Sequence, residues 1–149
     1  MMCIKRCGLL ILVLGFLAAC HAHASGGQSE LRSGDNYKVL ATAKASPDKS
    51  LSGELELLII KKGKDWKLTT DAPMRITVTA PDGVELSKKL WKNADAAKLD
   101  KNKQARFVLP YKLKAAGSYD LKLKFSFVLC TETLCQKKRF EVDYTLKGG

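Results

Sequence analysis

Ser118–Leu129 reads SYDLKLKFSFVL, and a little further on Lys138–Leu146 reads KRFEVDYTL. In the first stretch Tyr119, Leu121, Leu123, Phe125, Phe127 and Leu129 share one face, with Asp120, Lys122, Lys124 and Ser126 opposite. In the second, Phe140, Val142, Tyr144 and Leu146 alternate with Arg139, Glu141, Asp143 and Thr145. A period of two marks strands with one buried and one wet face. The two stretches therefore predict an antiparallel hairpin, with CTETLC (Cys130–Cys135) at its turn. The aromatic side chains of Phe125, Phe127, Phe140 and Tyr144 fall on the apolar face and read as core.

The same period recurs upstream. KVLATAKA (Lys38–Ala45) is a strand closed by Ser46-Pro47-Asp48, and GELELLIIKK (Gly53–Lys62) puts Leu55, Leu57 and Ile59 on one face. Leu58 and Ile60 suggest partial cover on its other face. Lys62–Asp65 reads as a turn into Trp66-Lys67-Leu68. In PMRITVTAPDG (Pro73–Gly83), Met74, Ile76, Val78 and Ala80 alternate with polar residues until Pro81-Asp82-Gly83 ends the strand. Leu90–Gln104, rich in lysine and alanine, fits a loop or a short helical turn. In ARFVLPYKL (Ala105–Leu113), Pro110 indicates an edge or a strand end. About seven short strands with no long helix predict an all-β protein, an antiparallel β-sandwich.

The N-terminus sets the compartment. Lys5 and Arg6 precede an apolar run from Gly8 to Ala19, too short for the about 20 residues that span a bilayer. Residues 1–19 read as a secretory signal peptide. Leu17-Ala18-Ala19-Cys20 matches the bacterial lipoprotein signature, making Cys20 the lipidation site and the membrane a partner through a lipid anchor. His21 after that cysteine points to the outer membrane, with the domain facing the periplasm. Cleavage after Ala22-His23-Ala24 is the alternative, giving a soluble periplasmic or secreted protein. Residues 20–35, rich in Gly and Ser, read as a flexible tether, and 36–149 as the sandwich domain. His21 and His23 on such a chain make a poor metal site.

The sequence carries 26 basic and 15 acidic residues, a net charge of +11. Loss of Lys5 and Arg6 with the leader leaves +9. Anionic headgroups, lipopolysaccharide or an acidic protein suit that balance. Single lysines scattered along strands also suit a plain solvated face, and export removes nucleic acid as a partner. Both histidines lie before Ser25, so the folded part can build neither a Ser-His-Asp triad nor a Cys/His zinc site. With no glycine-rich phosphate loop either, the reading expects no metal, no cofactor and no hydrolase activity.

Of five cysteines, Cys3 and Cys7 leave with the leader and Cys20 is acylated or removed. Cys130 and Cys135 remain, and an even pair in an oxidising compartment reads as a disulfide. Facing residues of an antiparallel hairpin have Cα atoms about 4.5–5.5 Å apart, within reach of such a bond. The loop it closes is short, so chain entropy gives only about 2 kcal/mol. A bond at an exposed tip is also open to an attacking thiolate. Lys137, Lys138 and Arg139 favour a thiolate there, and Glu132 opposes it. A structural staple in a binding or envelope-assembly module and a redox pair both remain open on these grounds.

The run from Trp66 to Leu146 resembles the N-terminal periplasmic domain of the DsbD family of thiol:disulfide interchange reductases and its stand-alone relatives. The shared pattern is Trp66-Lys67-Leu68, a Pro73-led strand, APDGVEL, and SYDLKLKFSFVLC followed by a second cysteine and FEVDYTL. The resemblance implies an immunoglobulin-like sandwich. It also implies that Cys130 and Cys135 are the exchanging, catalytic pair, with a periplasmic or membrane thiol–disulfide oxidoreductase as partner.

Overall fold

The computed structural model describes residues 27–47 and 49–149. The leader, Cys20, His21 and His23 lie outside the described residues. The described residues form eleven strands: β1 (Ser29–Ser33), β2 (Tyr37–Ser46), β3 (Lys49–Lys61), β4 (Lys67–Leu68), β5 (Arg75–Thr79), β6 (Val84–Leu86), β7 (Leu90–Lys92), β8 (Lys98–Asp100), β9 (Gln104–Leu113), β10 (Gly117–Cys130) and β11 (Cys135–Gly148). Seven of them have five residues or more, and six of those, all but β1, are strands that periodicity predicts. The other four have two or three, too few to display a period.

The strands build two antiparallel sheets. One runs β1–β2–β3–β9, with β6 and β8 both pairing the far side of β9. The other runs β11–β10–β5–β7, and β4 pairs β10 beside its tip. Inward residues of β2, β3 and β9 meet those of β5 and β10: Leu55, Leu57, Ile59 and Phe107 on one side, Ile76, Leu121, Leu123 and Phe127 on the other, all without solvent exposure. Burying each such side chain contributes about 1.5–3 kcal/mol. Register keeps large side chains in rows across the second sheet, as in Phe140–Phe125–Ile76–Trp91.

Alternation in β10 holds along its length, with Leu121 to Leu129 buried at every second position. Its partner is shallower: Phe140, Val142 and Tyr144 are half-buried, because β11 is an edge strand with a neighbour on one side only. Tyr37 of β2 reaches across to this hairpin. Its ring meets Phe127 edge-on at 5.4 Å and stacks on Phe140 at 5.7 Å, and Phe125 stacks on Phe140 at 5.1 Å. Offset and edge-on pairs of this kind each contribute about 0.5–1.5 kcal/mol beyond burial.

Two segments differ from expectation or settle an open choice. Ser29–Ser33, expected within the flexible tether, forms β1 against β2, with a bulge between Glu30 and Arg32. The free backbone edge of β2 supplies the hydrogen bonds, and Leu31 packs on the core. The other side chains of β1 stay exposed, so hydropathy carries no sign of it. Leu90–Gln104 contains β7, a 3-10 turn at Asn93–Asp95 and β8. Leu58 and Ile60 are half-buried, in keeping with the partial cover read from their sequence.

Candidate functional site

The longest hairpin in the described chain, β10–β11, runs through fourteen ladder positions from Gly117↔Gly148 to Cys130↔Cys135. At its tip Cys130 and Cys135 are joined in a disulfide with Cα atoms 4.0 Å apart. The turn explains that approach. Thr131 N–H donates to the Leu134 carbonyl at 2.7 Å, which makes those two a hydrogen-bonded pair. Cys130 and Cys135 then form the next, non-hydrogen-bonded pair, where facing Cα atoms come closest. The turn between the cysteines is thus tight, with Glu132 and Thr133 at its apex. Thr131 Oγ1 accepts from the Leu134 N–H at 3.0 Å and holds the turn closed from within.

The two sulfurs sit on the outer face of the sheet and are not equivalent. Cys135 is exposed and Cys130 half-buried. Register puts Lys67 of β4 opposite Cys130 on that same face. β4 is wedged in place by two backbone bonds, Thr69 N–H to the Val128 carbonyl at 3.1 Å and Leu68 N–H to the Lys101 carbonyl at 2.9 Å. A groove of about 220 Å³ results beside the disulfide, lined by Lys67, Thr70, Lys101, Cys130 and Glu132 among others. On the other flank Leu134 is 52% exposed, a large apolar side chain directly beside Cys135.

Behind the tip, Gln136 ties β11 to the opposite sheet. Asn36, only 4% exposed, donates through Nδ2 to Gln136 Oε1 at 3.0 Å, and Lys138 Nζ donates to the same oxygen at 2.8 Å. Lys138 therefore turns inward, 5.5 Å from the centre of the Tyr37 ring. This divides the basic run that follows the cysteines. Lys137 and Arg139 share the sulfurs' face, and Lys138 serves the interior. The cations that flank Cys130 from other elements, Lys67 and Lys101, are far away in sequence, and no periodic signal announces the pairing that delivers them.

No protein-family model and no curated protein sequence matches the chain. Solved structures do match. The GAE domain of GGA2p from Saccharomyces cerevisiae superposes with TM-score 0.52 at 8% identity, over 83% of this chain and all of that one. The yeast GGA1 GAE domain gives 0.45 at 13% identity, over 77% of this chain and 96% of that one. The N-terminal periplasmic domain of ScsB from Proteus mirabilis gives 0.40 at 16% identity, over 80% of this chain but 51% of that one. At 8% identity, the first of these likenesses is one of fold alone: this chain is an immunoglobulin-like antiparallel β-sandwich.

Proposed function

We propose that this chain is an exported, lipid-anchored domain whose Cys130–Cys135 disulfide exchanges electrons with a thiol–disulfide oxidoreductase of the bacterial envelope. The observation that carries the reading is the placement of an exposed cystine at the apex of a hairpin that does not need it. The thirteen ladder positions behind the cystine, the Thr131 turn bonds and the Phe125–Phe140 stack already hold the two strands together. The Gly8–Ala19 run and Cys20 support export and lipidation, with the Gly/Ser segment as part of the tether. Outer-membrane attachment rests on His21, and the lipid is the membrane partner.

The chemistry follows from the unequal sulfurs. A partner thiolate attacks the exposed Cys135 Sγ, the Cys130–Cys135 bond breaks, and Cys130 leaves as a thiolate beside Lys67. Lys67 and Lys101 of the adjoining groove favour that leaving thiolate, and Asp71 and Glu132 of the same groove oppose it. The partner's second thiolate then attacks its own sulfur in the mixed disulfide and releases Cys135. Two electrons and two protons have passed to this chain, and the partner dithiol has become a disulfide. Leu134 supplies apolar contact at the point of attack. With no histidine in the folded part, the domain relays electrons and does not activate a substrate of its own.

Equilibrating the purified protein with dithiol buffers of known poise, and trapping free thiols, measures the reduction potential of the pair. The expected value is above about −300 mV, in the range of exchange-competent disulfides. A lower value assigns the bond to structure and ends the exchange reading.

A further inference from the structure

The remaining edges in this sandwich are short. β1 has five residues, while β4, β6, β7 and β8 have two or three. Short edges are how natural sheets avoid pairing with other chains. β11 departs from that rule, with fourteen residues whose ladder with β10 contains no bulge. The hydrogen bond from Thr131 N–H to the Leu134 carbonyl fixes the parity of the hairpin. Even-numbered residues of β11 bond to β10, so the N–H and C=O groups of Cys135, Lys137, Arg139, Glu141, Asp143 and Thr145 point to the free edge. The side chains of the same odd-numbered residues lie on the exposed outer face.

We infer that β11 is a self-pairing edge, and that two copies of this chain join antiparallel about a two-fold axis at Phe140. Backbone parity requires odd residues to pair with odd ones. Centring on Phe140 makes Lys137 face Asp143 of the second copy and Arg139 face Glu141 of the second copy, each pair occurring twice. The sequence K-K-R-F-E-V-D is basic before Phe140 and acidic after it. Moving the axis one residue either way sets Glu141 against Glu141 or Arg139 against Arg139, so charge selects a single register. Opposite charges facing each other across strands each contribute about 0.2–1 kcal/mol, and like charges repel.

The interior side of the edge agrees. Phe140, Val142 and Tyr144 are half-buried because nothing continues the sheet beyond them, and a second β11 extends their cover. Arg32 of β1 lies 5.9 Å from the centre of the Phe140 ring of its own chain, next to the axis. Within one chain Glu141 already bonds Lys124 at 3.1 Å. Pairing places that carboxylate between Lys124 and Arg139 of the second copy, giving rows of alternating sign across a continuous sheet.

The test uses two charge variants of the full chain, followed by sedimentation velocity across a concentration series, with circular dichroism as the control for folding. Lys137→Glu/Arg139→Glu makes the four facing positions 137, 139, 141 and 143 all acidic, and Glu141→Lys/Asp143→Lys makes them all basic. Wild type is expected to dimerise, each variant alone to be monomeric, and an equimolar mixture to recover a heterodimer. Glu141→Pro is the second probe: it removes one free-edge N–H without touching the β10 ladder and should abolish the dimer. A wild type that stays monomeric, a dimer indifferent to the charge variants, or a mixture with no heterodimer each overturns the inference.

Discussion

The two long hairpins of this molecule, β2–β3 and β10–β11, obey the same alternation and meet different fates. β3 is flanked by β2 on one side and β9 on the other, so Leu55, Leu57 and Ile59 are sealed completely. β11 has β10 on one side and solvent on the other, and its apolar residues stop at half-burial. The first hairpin is interior to its sheet and contributes stability. The second combines an inner strand, β10, with an outer strand that presents a cystine and an open backbone edge. Position in the sheet, more than local sequence, separates scaffold from surface chemistry.

Trimming the same kind of side chain in both hairpins gives the largest contrast. Leu57→Ala in β3 leaves a cavity in a fully closed layer and should cost about 2–5 kcal/mol of unfolding free energy. Val142→Ala in β11 removes half-exposed methyl groups and should cost about 1 kcal/mol or less. Urea denaturation of both variants reads the difference directly. Equal losses would mean that β11 is as well covered as β3.

That contrast also shows what the sequence discloses. Every strand of five residues or more except β1 is legible from its period, because each has one face on the core and one in water. The disulfide is legible by counting cysteines. The strand β1 is not, since an edge strand of polar residues satisfies β2's backbone without an apolar face of its own. The surroundings of Cys130 are equally silent. Lys67 and Lys101 arrive through a two-residue strand and a turn, whose pairing depends on where β10 ends. Reading Lys137, Lys138 and Arg139 as one cationic group misses that Lys138 points inward to Gln136, a consequence of the same alternation that defines the strand.

A smaller effect concerns the tip of the second hairpin. The cysteines are five apart in sequence, so replacing both by alanine releases a short loop and should cost about 2 kcal/mol. The double variant Cys130→Ala/Cys135→Ala should remain folded, with a Tm lowered by several degrees and its β circular-dichroism spectrum intact. A chain that no longer folds without the bond would return the cystine to the role of a staple, and with it remove the distinction between the two hairpins.

The smallest effect belongs to the outer face of β3, the region that the first hairpin shares with β9. Glu56 accepts from Arg106 Nε at 2.8 Å and lies 3.4 Å from Lys44 Nζ, with its side chain 13% exposed. Burial alone raises its pKa, but the bonds and charge of Arg106, then those of Lys44, bring the carboxyl below its ordinary value. A carboxyl whose folded pKa is depressed adds stability above its unfolded pKa of about 4.3 and loses it as pH falls through the folded value. Because Lys44 is largely solvated and Arg106 about a third exposed, the cluster is worth about 1 kcal/mol after screening. Glu56→Gln should therefore be less stable than wild type by that amount at pH 7, and the two curves should converge below pH of about 4. A gap that persists into acid would show that the glutamine disturbs packing between β3 and β9, and that the charge itself contributes nothing there.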